Sequence, residues 1–280
     1  SIFVKGAFLI LRIGGGFMKD LIKKYIKDFV KEYEKQESIS TTWREPLVGF
    51  ADVNSEEIKN IREYTYERHL MPKDILEDAT VIIAYFVPFT KDIADSNIKG
   101  AFASEKWTLA YQETNEMFPK INEYIVKKID EMGYRAAVCK EAGNFDNNIL
   151  KSKWSHRHIA KVAGLGTFGI NNMLITEEGC CGRYFTIVTN LPVEADKPLK
   201  EENCLYKRGK SCGVCVKHCP SGALSLEKFD RFKCYETCHT NFNRYENLYG
   251  NKKYEKGKPR GGSEVCGKCV VNLPCSFKRP

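Results

Sequence analysis

Cysteine is the residue type in this chain best placed to do chemistry. Nine of its twelve cysteines fall between Cys204 and Cys275. They run as Cys204, Cys212-Gly213-Val214-Cys215, Cys219-Pro220, Cys234, Cys238, Cys266-Gly267-Lys268-Cys269 and Cys275. Thiolates in sets of four hold iron–sulfur clusters, and one two-cluster run reads C-x2-C-x2-C-x3-C-P. Its last three members stand here as Cys212, Cys215 and Cys219-Pro220, and the first has moved upstream to Cys204. In such runs the cysteine before proline serves the other cluster. The spacing therefore assigns Cys204, Cys212, Cys215 and Cys275 to one [4Fe–4S] cluster and Cys219, Cys234, Cys266 and Cys269 to a second. Cys238 is left over and can exchange with Cys234. Structural zinc is the alternative, because Cys212-x2-Cys215 with Cys266-x2-Cys269 is also a zinc-ribbon spacing. Zinc explains neither the Cys-Pro ending nor the eight-thiolate total.

Other candidates are weaker. Ser221-Gly222-Ala223-Leu224 resembles the turn after the Cys-Pro of bacterial ferredoxins. His218 and His239 abut cluster cysteines, where hydrogen bonds to sulfur would tune potential; exposed side chains are the plain alternative. His156 and His158, two apart on a helix, point to nearly opposite sides and do not share a metal. Cys180-Cys181 lies outside the motif, lining a cofactor or a loop. Tyr111 and Glu113, early in a long helical pattern, are the candidate proton donors.

Charge and length limit the classes available. From residue 201 onward 16 Lys/Arg face 8 Asp/Glu, whereas the first 200 residues carry 28 of each. A basic C-terminal part suits an acidic redox partner or nucleic acid. Each cluster with its four thiolates carries about −2, which offsets about half of the excess. Cysteines grouped at metal spacing in a long chain argue for a reducing, cytoplasmic setting rather than disulfides. Residues 1–17 read as a non-native extension ahead of Met18. Their apolar runs are broken by Lys5 and Arg12 and are far shorter than the ~20 residues a membrane span needs. No membrane partner is expected.

The positioning elements follow. Leu21, Ile22, Tyr25, Ile26, Phe29 and Val30 recur at helical spacing. Leu47–Ala51 and Val81–Val87 read as strands, the second buried on both faces as in α/β sheets. Ser55 caps a polar helix, Trp107–Met132 is a long helix, and Tyr134–Cys139 and Phe185–Thr189 are further strands. A short helix from Ser155 stops at Gly164. Gly164-Leu165-Gly166-Thr167-Phe168-Gly169 is formally G-x-G-x-x-G. A dinucleotide fingerprint needs a strand before it and a helix after it. Here a helix precedes and Asn171-Asn172 follows, so the glycines mark a sharp turn or a close approach. An α/β domain over 18–195 and a small ferredoxin-like double-cluster domain over 196–280 result.

Ala163-Gly164-Leu165-Gly166-Thr167-Phe168-Gly169-Ile170-Asn171-Asn172, followed by Met173-Leu174-Ile175, resembles the A-G-L-G-x-x-G-x-N segment of epoxyqueuosine reductases. The Leu191-Pro192 linker, the double-cluster motif and Arg231-Phe232-Lys233-Cys234 follow in that family's order. The resemblance spans roughly Leu47 to Cys275 and is specific from Ala163 onward. It implies a reductase related to reductive dehalogenases, with a corrinoid (cobalamin) held beside Gly164, Leu165, Gly166, Gly169, Asn171 and Asn172. It also implies a low-potential ferredoxin- or flavodoxin-type donor, and a small-molecule substrate or a partner corrinoid protein. Two departures weigh against tRNA as the substrate. Ala110-Tyr111-Gln112 stands where the family has Asp-Tyr-His, and the chain stops five residues after Cys275, where the family continues into helical repeats. An electron-transfer protein that activates a separate corrinoid protein is the second reading, and a true tRNA epoxyqueuosine reductase the third.

Overall fold

The computed structural model describes residues 14–143 and 145–280, so the expectation for the N-terminal extension falls largely outside the described residues. In chain order the helices are α1 (Gly15–Tyr33), α2 (Glu56–Lys59), α3 (Ile61–Tyr64), α4 (Pro72–Ile75), α5 (Lys91–Ser96), α6 (Glu105–Glu131), α7 (His156–Val162), α8 (Val214–His218) and α9 (Arg231–Tyr249). The strands are β1 (Leu47–Asp52), β2 (Val81–Pro88), β3 (Ala136–Ala137), β4 (Phe145–Asp146), β5 (Lys151–Ser152), β6 (Gly166–Phe168), β7 (Leu174–Thr176) and β8 (Gly182–Thr189).

Four strands form the central sheet in the order β1-β2-β8-β3. Every pairing is antiparallel, from Leu47 opposite Phe86 to Ala137 opposite Val188. The sheet is thus mixed with helices, but not in the parallel manner that the two-faced burial of Val81–Val87 suggested. Its burial has another cause. Side chains alternate across a strand, and each face of β2 meets its own helical layer. Val81, Ile83, Tyr85 and Val87 enter a core with Ile22, Ile26 and Val30 of α1 and Met117, Ile121 and Ile125 of α6. Ile82, Ala84 and Phe86 face Ile159, Ala160 and Val162 of α7, with Ile58 and Ile61. Tyr134–Cys139 shrinks to the two-residue edge strand β3.

The cysteine-rich part continues the first core rather than forming a separate one. Cys204, Val265, Val270 and Val271 join the cluster of α1 and α6. Polar clasps complete the union. Lys268 Nζ donates to the carbonyls of Asn97 and Lys99 at 2.8 Å each, and Asn97 Nδ2 donates to Cys266 O at 2.9 Å. On α9, Asn241 Oδ1 accepts from Ala103 N at 2.9 Å and the Tyr245 hydroxyl donates to Ala103 O at 2.5 Å. No helix among the described residues is long and apolar enough to cross a membrane.

Candidate functional site

Cys204, Cys212, Cys215 and Cys275 line one cavity, together with Gly169, Ile170 and Asn171. Three of the four cysteines come from one stretch, while Cys275 arrives from the C-terminal loop. That loop is pinned by strand-like bonds from Cys180 N to the carbonyls of Cys275 and Ser276, at 3.0 and 3.2 Å. Burial, followed by the charges of Cys275, Cys204 and Cys212, pushes the Cys215 thiol up to about 12. Sulfurs crowded in this way ionise together only against added positive charge, which a metal centre supplies.

The other thiols gather separately. Cys219, Cys234 and Cys266 all act on Cys269, whose thiol burial pushes up first and these neighbours push further. Cys234 and Cys238 lie one turn apart on α9, and the Cys238 thiol donates to Cys234, holding Cys234 below the usual thiol range. Cys238 also feels Cys266 and Cys269, so this second group holds five sulfurs. Among the described residues no three His, Cys, Asp or Glu side chains close on a point for a single ion. Four sulfurs about 2.3 Å from one zinc sit much closer together than sulfurs around a larger cluster.

The glycine motif is packed tightly on the protein. Gly164 takes φ +76° and leaves no room for a Cβ beside the Lys197 carbonyl. Gly166 opens β6, which pairs antiparallel with β7, and its Cα packs flush on the Ile175 carbonyl. Leu165 packs on Gly49 of β1. The segment is a hairpin in which Gly166 is buried while Gly164 and Leu165 stay half-buried. Gly169 and Asn171 wall the first thiol cavity. Asn171 Nδ2 donates to Cys269 O at 3.0 Å, and the carbonyl of Asn172, a residue at φ +57°, accepts from Arg157.

The two proton-donor candidates separate sharply. Glu113 is wholly buried, at 0% exposure. Its carboxylate accepts from Ser40 N at 3.1 Å and Thr41 N at 2.7 Å, anchoring the loop before β1. That is a structural task, and it corrects the expectation of a catalytic acid. Tyr111 is half-buried, with the Arg183 guanidinium 4.2 Å from its ring centroid. Ala110, before it, is sealed in the core.

Sequence reasoning missed the arginines. Arg157 lies within electrostatic reach of Cys234, Cys269 and Arg183. Arg183 Nε is buried without a partner among the described residues. Only their position beside a helix start and a strand start marked them in sequence, which is no signal. Trp107 was legible as a helix residue, but its ring lies flush on Gly267 of the Cys266–Cys269 turn. Its indole N–H has no partner among the described residues. The histidines are structural. His156 Nδ1 pairs with Thr186 Oγ1 at 2.9 Å and His158 Nδ1 with Ser155 Oγ at 2.7 Å. Burial first, then nearby arginines, brings both down to about 3. His218 Nδ1 reaches the Val271 carbonyl at 3.2 Å, and His239 lies 3.7 Å from Glu264.

No family model matches the chain. In sequence it is 26% identical over 166 residues to epoxyqueuosine reductase of Listeria monocytogenes, which covers 56% of this chain and 39% of that protein. It is 31% identical over 180 residues to a tetrachloroethene reductive dehalogenase of Desulfitobacterium hafniense, covering 61% and 28%. The matches therefore span well under half of these relatives' lengths. In structure, epoxyqueuosine reductase from Bacillus subtilis aligns with a TM-score of 0.53 at 17% identity, over 94% of this chain and 66% of that one. An epoxyqueuosine reductase solved with a tRNA stem loop aligns at 0.54 and 18%. The chain is thus similar in sequence to both epoxyqueuosine reductases and reductive dehalogenases, and it shares the fold of the former.

Proposed function

We propose that this chain is an iron–sulfur reductase in which Cys204, Cys212, Cys215 and Cys275 hold one [4Fe–4S] cluster and Cys219, Cys234, Cys266 and Cys269 a second. One observation carries the reading: three cysteines of one stretch and a fourth from the distant C-terminal loop line a single cavity. The unpartnered Trp107 N–H beside the Cys266–Cys269 turn fits as well, because sulfurs of such clusters accept hydrogen bonds that tune their potential. When bound, clusters of this kind supply single electrons at potentials set by charge, hydrogen bonding and exposure. The chain's own residues do the rest. Arg157 places positive charge near the second thiol group. Gly169 and Asn171 of the hairpin turn wall the first cavity, and Tyr111, held by Arg183, is the remaining candidate proton donor.

A corrinoid is what the resemblance adds, beside Gly164, Leu165, Gly166, Gly169, Asn171 and Asn172, and no step is assigned through one. Glu113 committed to the fold and Ala110 in place of an acid favour one alternative: an electron-transfer protein that reduces a separate corrinoid protein. A tRNA substrate finds support in the relative solved with a tRNA stem loop and in a surface pocket that mixes Tyr249 and Tyr254 with Lys252, Lys253 and Arg260. Anaerobic reconstitution with iron, sulfide and cobalt analysis tests the reading. Two clusters per chain are expected, and paramagnetic resonance of Cys212→Ala and Cys219→Ala should lose different signals. Stoichiometric zinc with little iron overturns it, and a signal missing from both variants refutes the ligand partition.

A further inference from the structure

The first thiol cavity lies under a surface with a distinct make-up. The turn between Cys204 and Cys212 carries Lys207, Arg208 and Lys210, all exposed. It is held in shape by bonds from Arg208 N to Cys204 O at 3.1 Å and from Lys210 N to Leu205 O at 2.9 Å. Leu205 and Pro280 line the cavity itself, and Arg208 donates to the Pro280 carbonyl, which brings the C-terminus with exposed Lys278 alongside the turn. Between these cations the surface is apolar. Pro274 is an exposed part of the cavity wall. Leu226, 44% exposed, reaches over Gly213 between Cys212 and Cys215.

Most of these charges are not neutralised locally. Lys207 lies 3.9 Å from Glu202, and Arg279 pairs with Glu201. Lys210, Lys217 and Lys278 have no carboxylate partner among the described residues. In the basic loop near Tyr249, Lys258 pairs with Glu105 and Arg260 with Glu116, while Lys252 and Lys253 have no carboxylate partner among the described residues.

We propose that this face, with Leu226 and Pro274 at its centre and Arg208, Lys210, Lys217 and Lys278 around them, is the docking surface for an acidic one-electron carrier protein. The inference rests on the proposed function above, and names its partner and point of entry. An apolar centre with a charged rim is the make-up of a protein interface, and electron-transfer encounters lie at its small end, under about 1,200 Å². The cations steer an acidic partner, and the thin wall over the thiols sets the electron's path. In the step itself the carrier would give up one electron to the group that Cys204, Cys212, Cys215 and Cys275 would hold, with no bond or proton moved. Nucleic acid is the less fitting occupant: single strands use aromatic stacking platforms, and the aromatic residues that mix with lysines lie on the other patch, at Tyr249 and Tyr254.

The test uses the anaerobically reconstituted full chain, with a reduced, strongly acidic two-cluster ferredoxin as the probe. Association is read by binding titration and reduction by stopped-flow absorbance; photoreduced deazaflavin serves as a small reductant that needs no docking. Electrostatic steering changes on-rates by about 10–10³-fold and fades with salt. Lys210→Glu with Lys278→Glu is expected to lower ferredoxin binding and its second-order rate at least about tenfold at low salt. The same variant should leave the deazaflavin rate unchanged, and Lys252→Glu with Lys253→Glu should leave both as they were. Equal ferredoxin rates in the reversal variant, or a loss confined to the Lys252/Lys253 variant, overturns the docking surface alone. So does a reversal that abolishes binding of a tRNA stem loop but spares the ferredoxin rate. A reconstituted chain that carries no clusters sinks the reading of the thiol sites, and this inference with it.

Discussion

Ile83 and Phe86 lie on opposite faces of β2, and each is sealed by its own layer of helices. Around the thiols no such layering exists. Residues 201–280 contain α8, α9 and an isolated bridge between Leu224 and Phe229, and α9 buries only Asn241 and Tyr245. The sheet body is held by apolar burial worth about 25 cal/mol per Å². The cysteine-rich part is held by clasps to that body and, on the proposed reading, by metal–thiolate bonds. Two halves of one continuous core therefore draw on different sources of stability, and they should fail separately.

Removing metal should break the weaker half first. Structural metal binding is folding free energy, on the order of 10 kcal/mol in small metal domains. Chelation of the reconstituted protein should therefore strip hydrogen-exchange protection from residues 204–275 while β1, β2 and β8 keep theirs. Uniform loss across the chain would show that the two parts are one cooperative unit. Phe86→Ala attacks the other half. It empties a fully buried site stacked on Tyr184 at 4.4 Å and should cost about 4 kcal/mol in denaturant unfolding. The cluster absorbance of the folded variant should be unchanged.

The same contrast governs what was legible in the sequence. Val81–Val87 announced a doubly buried strand because every residue is apolar, although apolarity alone carries no strand direction. The long helix, the Ser55 cap and the stop at Gly164 were equally readable, since local chemistry decides them. Ser55 accepts from Ile58 N. Cys204, Cys212, Cys215 and Cys275 line one cavity, and spacing is what ligand chemistry constrains. Glu113 was misread because its partners, Ser40 and Thr41, lie some seventy residues away, and no local pattern marks them. The packing of the glycine motif was hidden for a similar reason. Its neighbours, Ile175 and Lys197, lie beyond the motif.

Glu113 also sharpens the comparison, because it joins a loop to the body without touching the thiols. Glu113→Ala leaves the Ser40 and Thr41 amides without their acceptor and should cost about 3 kcal/mol. Glu113→Gln keeps one acceptor oxygen and should recover part of that. Neither should alter cluster content, whereas Tyr111→Phe should leave stability nearly unchanged. A Glu113→Gln variant of full stability that has lost electron delivery to its acceptor would return this residue to the reaction.

The smallest expected effect is one of pH, and it belongs to the sheet side. His69 Nδ1 donates to Leu70 O at 2.6 Å while Nε2 accepts from Ser155 N at 2.9 Å, so a second proton has no place without breaking the Ser155 bond. Burial brings His69 down to about 4, and His156 and His158 to about 3. An unfolded histidine titrates near 6.5. Below that pH the unfolded chain binds protons that the folded chain refuses, so stability rises with pH and is lost as pH falls. The loss begins near pH 6.5 and continues down to the folded values of about 4 and about 3. Each histidine contributes at most about 1.4 kcal/mol per pH unit. Between pH 6.5 and 5 carboxylates contribute little, so unfolding midpoints there isolate the histidine share. His69→Gln should flatten that slope by about one proton, while the pH dependence of exchange in residues 204–275 stays as it was. An unchanged slope in the variant would mean that His69 is already protonated in the folded protein.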